Sequence, residues 1–134
     1  MLLSPDGFSP RLWGPQLWRV MHLVSVNYPL NPTRVQQRAY YNFFNSLKCI
    51  LPCKTCREEF NKMVSRPPYT LTPALFAQRP GDPPGTARRR LAQYVVTLHN
   101  VVNARLGKPP GRQTRNWVQY YANLRRQKIN VWRR

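Results

Sequence analysis

Apolar residues recur along this chain at intervals of three and four positions, which is the spacing of helices that bury one face. Over residues 10–28 this spacing places Leu17, Met21 and Val24 on one side of a first helix, and the tyrosine–proline pair at its end stops it. No run of alternating apolar residues is long enough to predict a sheet. The pattern therefore predicts an all-α protein.

Threonine and proline mark the limits of the next helices. Thr33 is placed to cap a second helix, and Pro52 is placed to open a third helix in which Phe60 and Val64 face inward. The stretch 66–86 contains six prolines, which predicts a loop or a set of short turns.

The last part of the chain predicts one long helix and one short helix. Thr86 can cap a fourth helix over residues 87–106, which Gly107 ends, and a weaker fifth helix covers about 113–128. The fourth helix has a core stripe, with Leu106 beside it, formed by Leu91, Val95, Leu98 and Val102. Four core helices and a small fifth predict a four-helix bundle with a short fifth helix.

Length and composition set the domain organisation. The 134 residues and the apolar fraction of 42% suit one compact domain and exclude a disordered chain. We predict a single domain over 1–134, with a helical core at about 10–124, a proline-rich insertion at 66–86 and a basic tail at 125–134. No apolar run is long enough to span a bilayer, and the first residues lack a signal-peptide pattern. We therefore expect a cytoplasmic protein that is not secreted and makes no membrane contact.

The charge of the chain is strongly positive. It has 22 Lys and Arg against 4 Asp and Glu, a net charge of +18. Such a field attracts polyanions, so nucleic acid and acidic proteins are candidate partners of the basic tail. A basic helical module that binds nucleic acid is the alternative function class, but no known nucleic-acid reading motif is present.

All three cysteines fall within eight residues, in the segment CILPCKTC. Cys53 and Cys56 are three positions apart, so both sulfurs face the same side of a helix and can reach each other. In a first helical turn, the helix dipole and the free N–H groups stabilise a thiolate, and Lys54 and Arg57 add positive charge. This arrangement predicts a redox-active pair.

Other roles for these cysteines stay open at this point. A zinc site could combine all three cysteines with either His22 or His99, although zinc sites usually take ligands from two separate knuckles. A thioredoxin-type fold also uses CxxC at a helix start, but it needs flanking strands. We expect Cys49 to be a small buried side chain, with a resolving or intersubunit role as the alternative.

A second group of polar residues lies on the fourth helix. His99, Asn100 and Asn103 fall within five residues at the edge of the core stripe, and buried polar groups require partners. Hydrogen bonds to neighbouring loops would satisfy them, and so would a heterocyclic cofactor. Trp18 and His22 on the first helix offer an aromatic wall and a further donor for such a cofactor.

Three segments together resemble the Erv/ALR family of FAD-linked sulfhydryl oxidases. They are WGPQLWRVMH at 13–22, PCKTC at 52–56 and HNVVNARLGKP at 99–109, in the family's order, and the likeness covers most of 13–117. The resemblance implies a four-helix bundle with a short fifth helix that holds FAD, usually in a homodimer, with no metal. It implies flavin contacts from Gly14, Trp18, His22, His99, Asn100, Asn103, Arg105, Lys108 and Trp117.

The resemblance also implies a mechanism. A dithiol substrate attacks Cys53, Cys56 leaves as a thiolate and passes electrons to FAD, and reduced FAD gives them to molecular oxygen, which yields hydrogen peroxide. The electron donor would be a thiol-containing protein substrate or a thioredoxin-like redox partner.

This sequence departs from the family pattern in its cysteines. The second, flexible cysteine pair of many cellular members is absent, and so is the downstream pair that staples the fifth helix. The pair Cys53–Cys56 would therefore take electrons directly from the partner. Such minimal members resemble those of large cytoplasmic DNA viruses, which implies host cytoplasm and virion as locations.

Overall fold

The structure, a computed structural model, describes residues 6–126, apart from the side chains of residues 112 and 113. Most of the predicted basic tail, residues 127–134, lies outside the described residues. The described chain is helical, with one 3₁₀ turn: α1 Pro10–Val26, α2 Arg34–Ile50, α3 Lys54–Val64, the 3₁₀ turn Pro73–Phe76, α4 Thr86–Arg105, α5 Arg112–Arg115 and α6 Trp117–Arg125. Between residues 6 and 126 the only β pairing is an isolated bridge, as the all-α prediction requires.

The start of α2 follows the sequence signal. Thr33 Oγ1 accepts a hydrogen bond from the Gln36 N–H at 3.2 Å, and the Thr33 N–H donates to Gln36 Oε1 at 2.9 Å. This reciprocal pair satisfies two N–H groups that a helix start leaves free. Thr33 is thus the N-cap, as predicted.

The start of α4 differs from the prediction. Thr86 is the first residue of the helix, and Gly85 precedes it as the N-cap with a φ of 88°. The Gly85 N–H donates to Leu30 O at 2.8 Å, which ties the helix start to the loop after α1. At the other end, Gly107 has a φ of 69° and ends the helix as predicted. Leu106 is the C-cap, one residue past the last helical residue, and it is exposed.

The four long helices enclose one core, in which α1 packs on α4 and α2 packs on α3. Its largest fully buried apolar side chains are Tyr28, Phe44, Phe76, Leu91, Leu98 and Val95. Phe60 and Val64 face this core, as predicted, and so does Met63 between them.

The proline-rich stretch contributes to this core. Leu71 and Phe76 are buried, and the Tyr28 hydroxyl donates to Phe76 O at 2.7 Å. Arg90 of α4 donates to Ala77 O at 2.8 Å. The stretch is therefore irregular, as predicted, but it packs as part of the bundle.

The predicted fifth helix is broken into α5 and α6 at Asn116, which has φ −140° and ψ 59°. The second piece, α6, docks on α1 through Tyr121, which is buried, and through Tyr120, whose hydroxyl accepts from Arg19 at 3.1 Å. No helix among the described residues has both the length and the hydropathy that a membrane crossing requires.

Candidate active site

The cysteine pair lies at the start of α3. Cys53 and Cys56 form a disulfide with their Cα atoms 5.1 Å apart. Cys53 is the N-cap of α3, because its sulfur accepts from the Cys56 N–H at 3.2 Å and its backbone is extended, with φ −162°. Pro52 consequently lies before the cap, and its predicted place in the first helical turn is wrong.

Residues 6–8 pair with the backbone that carries Cys53. The Phe8 N–H donates to Pro52 O at 2.7 Å, and the Lys54 N–H donates to Asp6 O at 2.8 Å, so Gly7 forms an antiparallel bridge with Cys53. Gly7 has a φ of 95°, and a Cβ atom there would lie 2.4 Å from Pro52 O. Only glycine fits this position in this conformation. Sequence reasoning missed this contact, because nothing local links residue 7 to residue 53.

Two positively charged side chains near the disulfide, Arg57 and Lys54, interact with neighbouring oxygen atoms. Arg57 donates to Leu51 O at 2.7 Å and so bridges α3 to the end of α2. Lys54 lies 3.8 Å from a Glu58 oxygen, in an exposed pair that contributes little to stability. Cys56 packs against the core, whereas Lys54, next to Cys53, is exposed.

Trp18, His22 and His99 form one aromatic cluster where α1 crosses α4. The rings of Trp18 and His99 are stacked at a centroid distance of 4.2 Å, and His22 Nε2 lies 2.8 Å from His99 Nδ1. Burial lowers the pKa of His22 to about 3, with a further contribution from His99. Burial also lowers the pKa of His99 to about 4, helped by the charge of Lys108. Both imidazoles are therefore neutral at neutral pH.

Two buried polar atoms in this part of the bundle have no partner among the described residues. They are His22 Nδ1, in the cluster, and Asn100 Oδ1, on the residue that follows His99 in α4. An unpaired buried polar atom costs roughly 1–3 kcal/mol, so such atoms are rare unless they serve a purpose. The edges of a bound heterocycle carry the complementary donors and acceptors. The chemistry of this cluster thus fits a cofactor such as FAD.

The other predicted cofactor residues on these two helices lie in α1, in α4 or just after α4. Gly14 is half-buried in α1, and a Cβ atom there would meet only Pro10 Cβ at 3.8 Å. Asn103 is half-buried, and Arg105 and Lys108 are exposed at the end of α4.

Trp117, the predicted flavin contact on α6, packs on α4 through Gln93. It is half-buried, and its Nε1 donates to Gln93 Oε1 at 3.2 Å. It lines an open cavity of about 400 Å³ together with Arg88, Arg125 and Tyr121. The other predicted flavin contacts do not line this cavity. Trp18, His22 and His99 thus contact one another, and Trp117 contacts α4 at Gln93.

Tyr121 is a residue of this region that sequence reasoning missed. It is buried, and its ring lies 5.7 Å from that of His22. Burial raises the pKa of its hydroxyl well above the ordinary value. Its position four residues after Trp117, on one face of a helix, was the available signal.

Cys49 is exposed, so the expectation of a buried side chain is wrong. Leu47 and Leu51 face the core, and a residue two positions from both lies about 200° round the helix, on the outer side. Within residues 6–126, no three His, Cys, Asp or Glu side chains converge as a metal site requires. The alternative of a zinc site from three cysteines and a histidine lacks that convergence.

Comparisons with known proteins agree on one family. The model of the Erv1/Alr family matches residues 15–122. A probable FAD-linked sulfhydryl oxidase of Acanthamoeba polyphaga mimivirus is 35% identical over 100 residues, which cover 75% of this chain and 62% of that protein. A putative FAD-linked sulfhydryl oxidase of Invertebrate iridescent virus 6 is 27% identical over 74% of this chain and 83% of its own length. The chain thus spans less than two thirds of the mimivirus relative.

Solved structures show the same fold. The FAD binding domain of Erv1 from Saccharomyces cerevisiae superposes with a TM-score of 0.66 at 23% identity, over 87% of this chain and 96% of that domain. The yeast Erv1 core gives a TM-score of 0.60 at 24% identity, over 82% and 81% of the two chains. The predicted all-α bundle is confirmed.

Proposed function

The chain belongs to the Erv1/Alr family, and from this membership we propose that it is a FAD-dependent thiol oxidase that forms disulfides in protein substrates. The observation that carries the proposal is the Cys53–Cys56 disulfide at the N-terminus of α3. Proteins similar to this chain in sequence are named FAD-linked sulfhydryl oxidases. A disulfide at a helix start is the arrangement that such chemistry needs, because the helix end stabilises the thiolate that leaves.

We assign the outer position to Cys53 and the inner position to Cys56. Cys56 packs against the core, whereas Cys53 lies at the cap, beside the exposed Pro52 and Lys54. A substrate thiolate attacks the Cys53 sulfur, the Cys53–Cys56 bond breaks, and Cys56 leaves as a thiolate in the first turn of α3. A second substrate thiol then attacks the mixed disulfide and releases oxidised substrate, which leaves both cysteines reduced.

The residues that would hold FAD lie on α1, α4 and α6 and in the segment just after α4. They are Gly14, Trp18, His22, His99, Asn100, Asn103, Arg105, Lys108 and Trp117. When bound, FAD supplies the two-electron chemistry that reoxidises the cysteine pair and reduces molecular oxygen to hydrogen peroxide. The neutral state of both histidines supports this set, because neutral rings can donate and accept hydrogen bonds at a heterocycle.

Assembly and partners form a further part of the proposal. We propose a homodimer, which is supported by apolar side chains exposed on α1 and α2: Leu12 67%, Val20 47%, Leu23 38%, Val35 72% and Ile50 62%. The electron donor would be a thiol-containing protein or a thioredoxin-like partner. The net charge of +18 and the arginines beside the cavity support a contact with a polyanion. The viral relatives support host cytoplasm and virion as locations.

A purified sample tests the oxidase directly. It should be yellow, consume oxygen with dithiothreitol and produce one hydrogen peroxide per disulfide. Cys53→Ser and Cys56→Ser should each abolish turnover and retain FAD, whereas Cys49→Ser serves as the matched control with full turnover. A colourless protein that folds and consumes no oxygen would refute the proposal. Loss of flavin from folded Cys56→Ser would refute the division of roles between the two sulfurs.

A further inference from the structure

Three arginines line the open cavity of about 400 Å³ between the end of α1, the start of α4 and α6. Arg88 and Arg89 belong to the first turn of α4, and Arg125 is the last residue of α6. None of the four acidic side chains of the protein, all of which lie within the described residues, lines this cavity. We name it the arginine cavity. Its lining carries three positive charges and no acidic side chain to balance them.

Two of these arginines are held in place by uncharged partners. Arg88 donates through Nε to Tyr28 O. Arg125 donates to Val26 O and, at 3.4 Å, to Asn27 Oδ1. These oxygens lie at the C-terminal end of α1, where cations are favourable, so both contacts also stabilise the fold. A guanidinium group has five N–H donors, so these bonds position the two side chains without neutralising them.

The charges of the arginine cavity repel one another. Burial lowers the pKa of Arg88, and the charge of Arg125 lowers it further. Arg89 adds a third charge, exposed in the first turn of α4, where the helix dipole disfavours cations. That turn contains no acidic residue to offset it. An anion between the three arginines would relieve this repulsion.

The chemistry of the cluster favours phosphate over carboxylate. A phosphate monoester carries a charge of about −1.5 to −2 at pH 7 on three acceptor oxygens, whereas a carboxylate has a single charge on two oxygens. Guanidinium groups bind phosphate through paired N–H donors in a fixed geometry. The volume of the cavity is within the range of roughly 300–1,000 Å³ that is usual for small-ligand sites. It therefore has room for a phosphate and part of the molecule that carries it.

The arginine cavity lies apart from the cations proposed to hold FAD. Arg105 is about 24 Å from Arg89 along the axis of α4, and Lys108 follows the end of that helix. Of the nine proposed flavin contacts, Trp117 alone lines the cavity. We propose that the arginine cavity binds a phosphate group carried by a nucleotide or by a nucleic acid strand. This inference gives the proposed polyanion contact a place and a chemical class, and it does not depend on the oxidase activity.

Binding of adenosine monophosphate tests the site directly. The full chain is saturated with FAD, free FAD is removed, and the nucleotide is titrated by calorimetry, with adenosine as the probe that lacks the phosphate. Adenosine monophosphate should bind one to one, and adenosine should bind at least about tenfold more weakly, because the phosphate provides the charged contacts. Equal binding of the two probes, or no binding of either, would overturn the proposal.

Arg89→Gln removes one of the three charges from an exposed position. It should weaken binding of adenosine monophosphate at least about fivefold, the effect of one lost hydrogen-bonded contact. Arg89→Lys keeps the charge without the paired donors, so its loss should be smaller. Arg11→Gln is the matched control, because Arg11 is exposed in the first turn of α1, about 22 Å along that helix from Val26 at the cavity. Screening by salt should keep its effect below about twofold, and equal losses in Arg89→Gln and Arg11→Gln would overturn the proposal.

Thermal melting and flavin content separate this role from two others. Arg89→Gln relieves repulsion in the ligand-free site, so it should melt at the wild-type temperature or up to about 4 °C higher. A lower melting temperature would make Arg89 a structural residue and would overturn the proposal. Loss of FAD from the same variant would place the arginines in the flavin site, which would also overturn it.

A short oligothymidylate distinguishes the two sources of phosphate. If a nucleic acid strand is the ligand, the oligonucleotide should displace adenosine monophosphate, and Arg89→Gln should reduce the log–log salt slope of its binding by about 0.7. If a free nucleotide is the ligand, the oligonucleotide should not displace it. Displacement by hexaglutamate at equal concentration would show a site for any anion and would overturn the proposal. Failure of the wild-type protein to consume oxygen would refute the oxidase alone, because these titrations measure no turnover.

Discussion

The Nε2 atom of His22 lies 2.8 Å from the Nδ1 atom of His99, across the buried contact between α1 and α4. One nitrogen must donate and the other must accept, so the accepting ring has to be neutral and the two rings cannot both be protonated while the bond persists. Burial enforces this state by lowering both pKa values, to about 3 for His22 and about 4 for His99. The contact between the helices is thus tied to the protonation of two residues in the proposed cofactor site.

The first prediction concerns pH. An unfolded imidazole has a pKa of about 6.5, so below that pH the unfolded chain binds protons that the folded chain does not. Stability should therefore be full above pH 7 and should fall as the pH drops from about 6.5 towards the folded values of about 3 and 4. The expected loss is about 1 kcal/mol per histidine per pH unit. Urea unfolding between pH 7 and pH 5 measures it.

The control for this prediction is His22→Gln, which cannot take up a proton. The variant will be less stable at pH 7, but its stability should fall about half as steeply with pH as that of the wild type. The four carboxylates titrate in both proteins, so their contribution cancels in the comparison. Equal slopes would show that His22 is not the buried base described above.

The second prediction concerns Asn100, whose Oδ1 is buried without a partner among the described residues. Asn100→Ala removes an unsatisfied acceptor, so the flavin-free protein should be as stable as the wild type or about 1 kcal/mol more stable. The same variant should bind FAD about tenfold more weakly, because the acceptor is then missing where the cofactor needs it. Flavin titration and thermal melting measure the two effects. Asn61→Ala, an exposed change on α3, should alter neither.

The third prediction concerns Gly14, which has room for a methyl group. A Cβ atom there meets only Pro10 Cβ at 3.8 Å, and alanine favours a helix by about 1 kcal/mol over glycine. Gly14→Ala should therefore raise the melting temperature of the flavin-free protein. If the open space beside Gly14 accommodates FAD, the same change should lower flavin retention, seen in the ratio of visible to ultraviolet absorbance. A destabilised flavin-free protein would contradict the first half of this prediction.

The helices could be predicted because their signals are local. Thr33 and Gly107 act where the sequence places them, since caps depend on residues within one helical turn. The grouping of Trp18, His22 and His99 could also be predicted, because polar and aromatic residues on core helix faces require partners. The stacking of Trp18 on His99 could not be predicted, since the pairing of α1 with α4 depends on the packing of the whole bundle.

The failures share a physical cause. Gly7 pairs with Cys53, and the periodicity of a sequence cannot predict a contact between residues so far apart in the chain. The cap at Cys53 instead of Pro52 depends on a sulfur that accepts a backbone hydrogen bond. The exposure of Cys49 follows from the helical positions of Leu47 and Leu51, although its apolar neighbours along the chain predict burial. Long-range pairing and helix rotation decided these features.

The fourth prediction tests whether the proline-rich stretch is part of the core. Phe76 is 0% exposed and receives the Tyr28 hydroxyl bond at its carbonyl. Phe76→Ala should lower the free energy of unfolding by about 3–5 kcal/mol, the usual cost of truncating a buried phenylalanine. Phe8→Ala, at a side chain that is 59% exposed, should cost less than about 1 kcal/mol. Similar losses in both variants would mean that the stretch does not pack as described.

The fifth prediction concerns Cys49, the one cysteine outside the disulfide. Because its side chain is exposed, the native, unreduced protein should react with Ellman's reagent at one thiol per chain, and Cys49→Ser should abolish the reaction. The same variant should keep oxidase turnover within about twofold of the wild type, since the substrate exchange assigned to Cys53 and Cys56 needs no third sulfur. A large loss of turnover would instead give Cys49 a resolving role. A native protein that reacts only after unfolding would place Cys49 beneath a second copy of the chain, at the exposed face of α2.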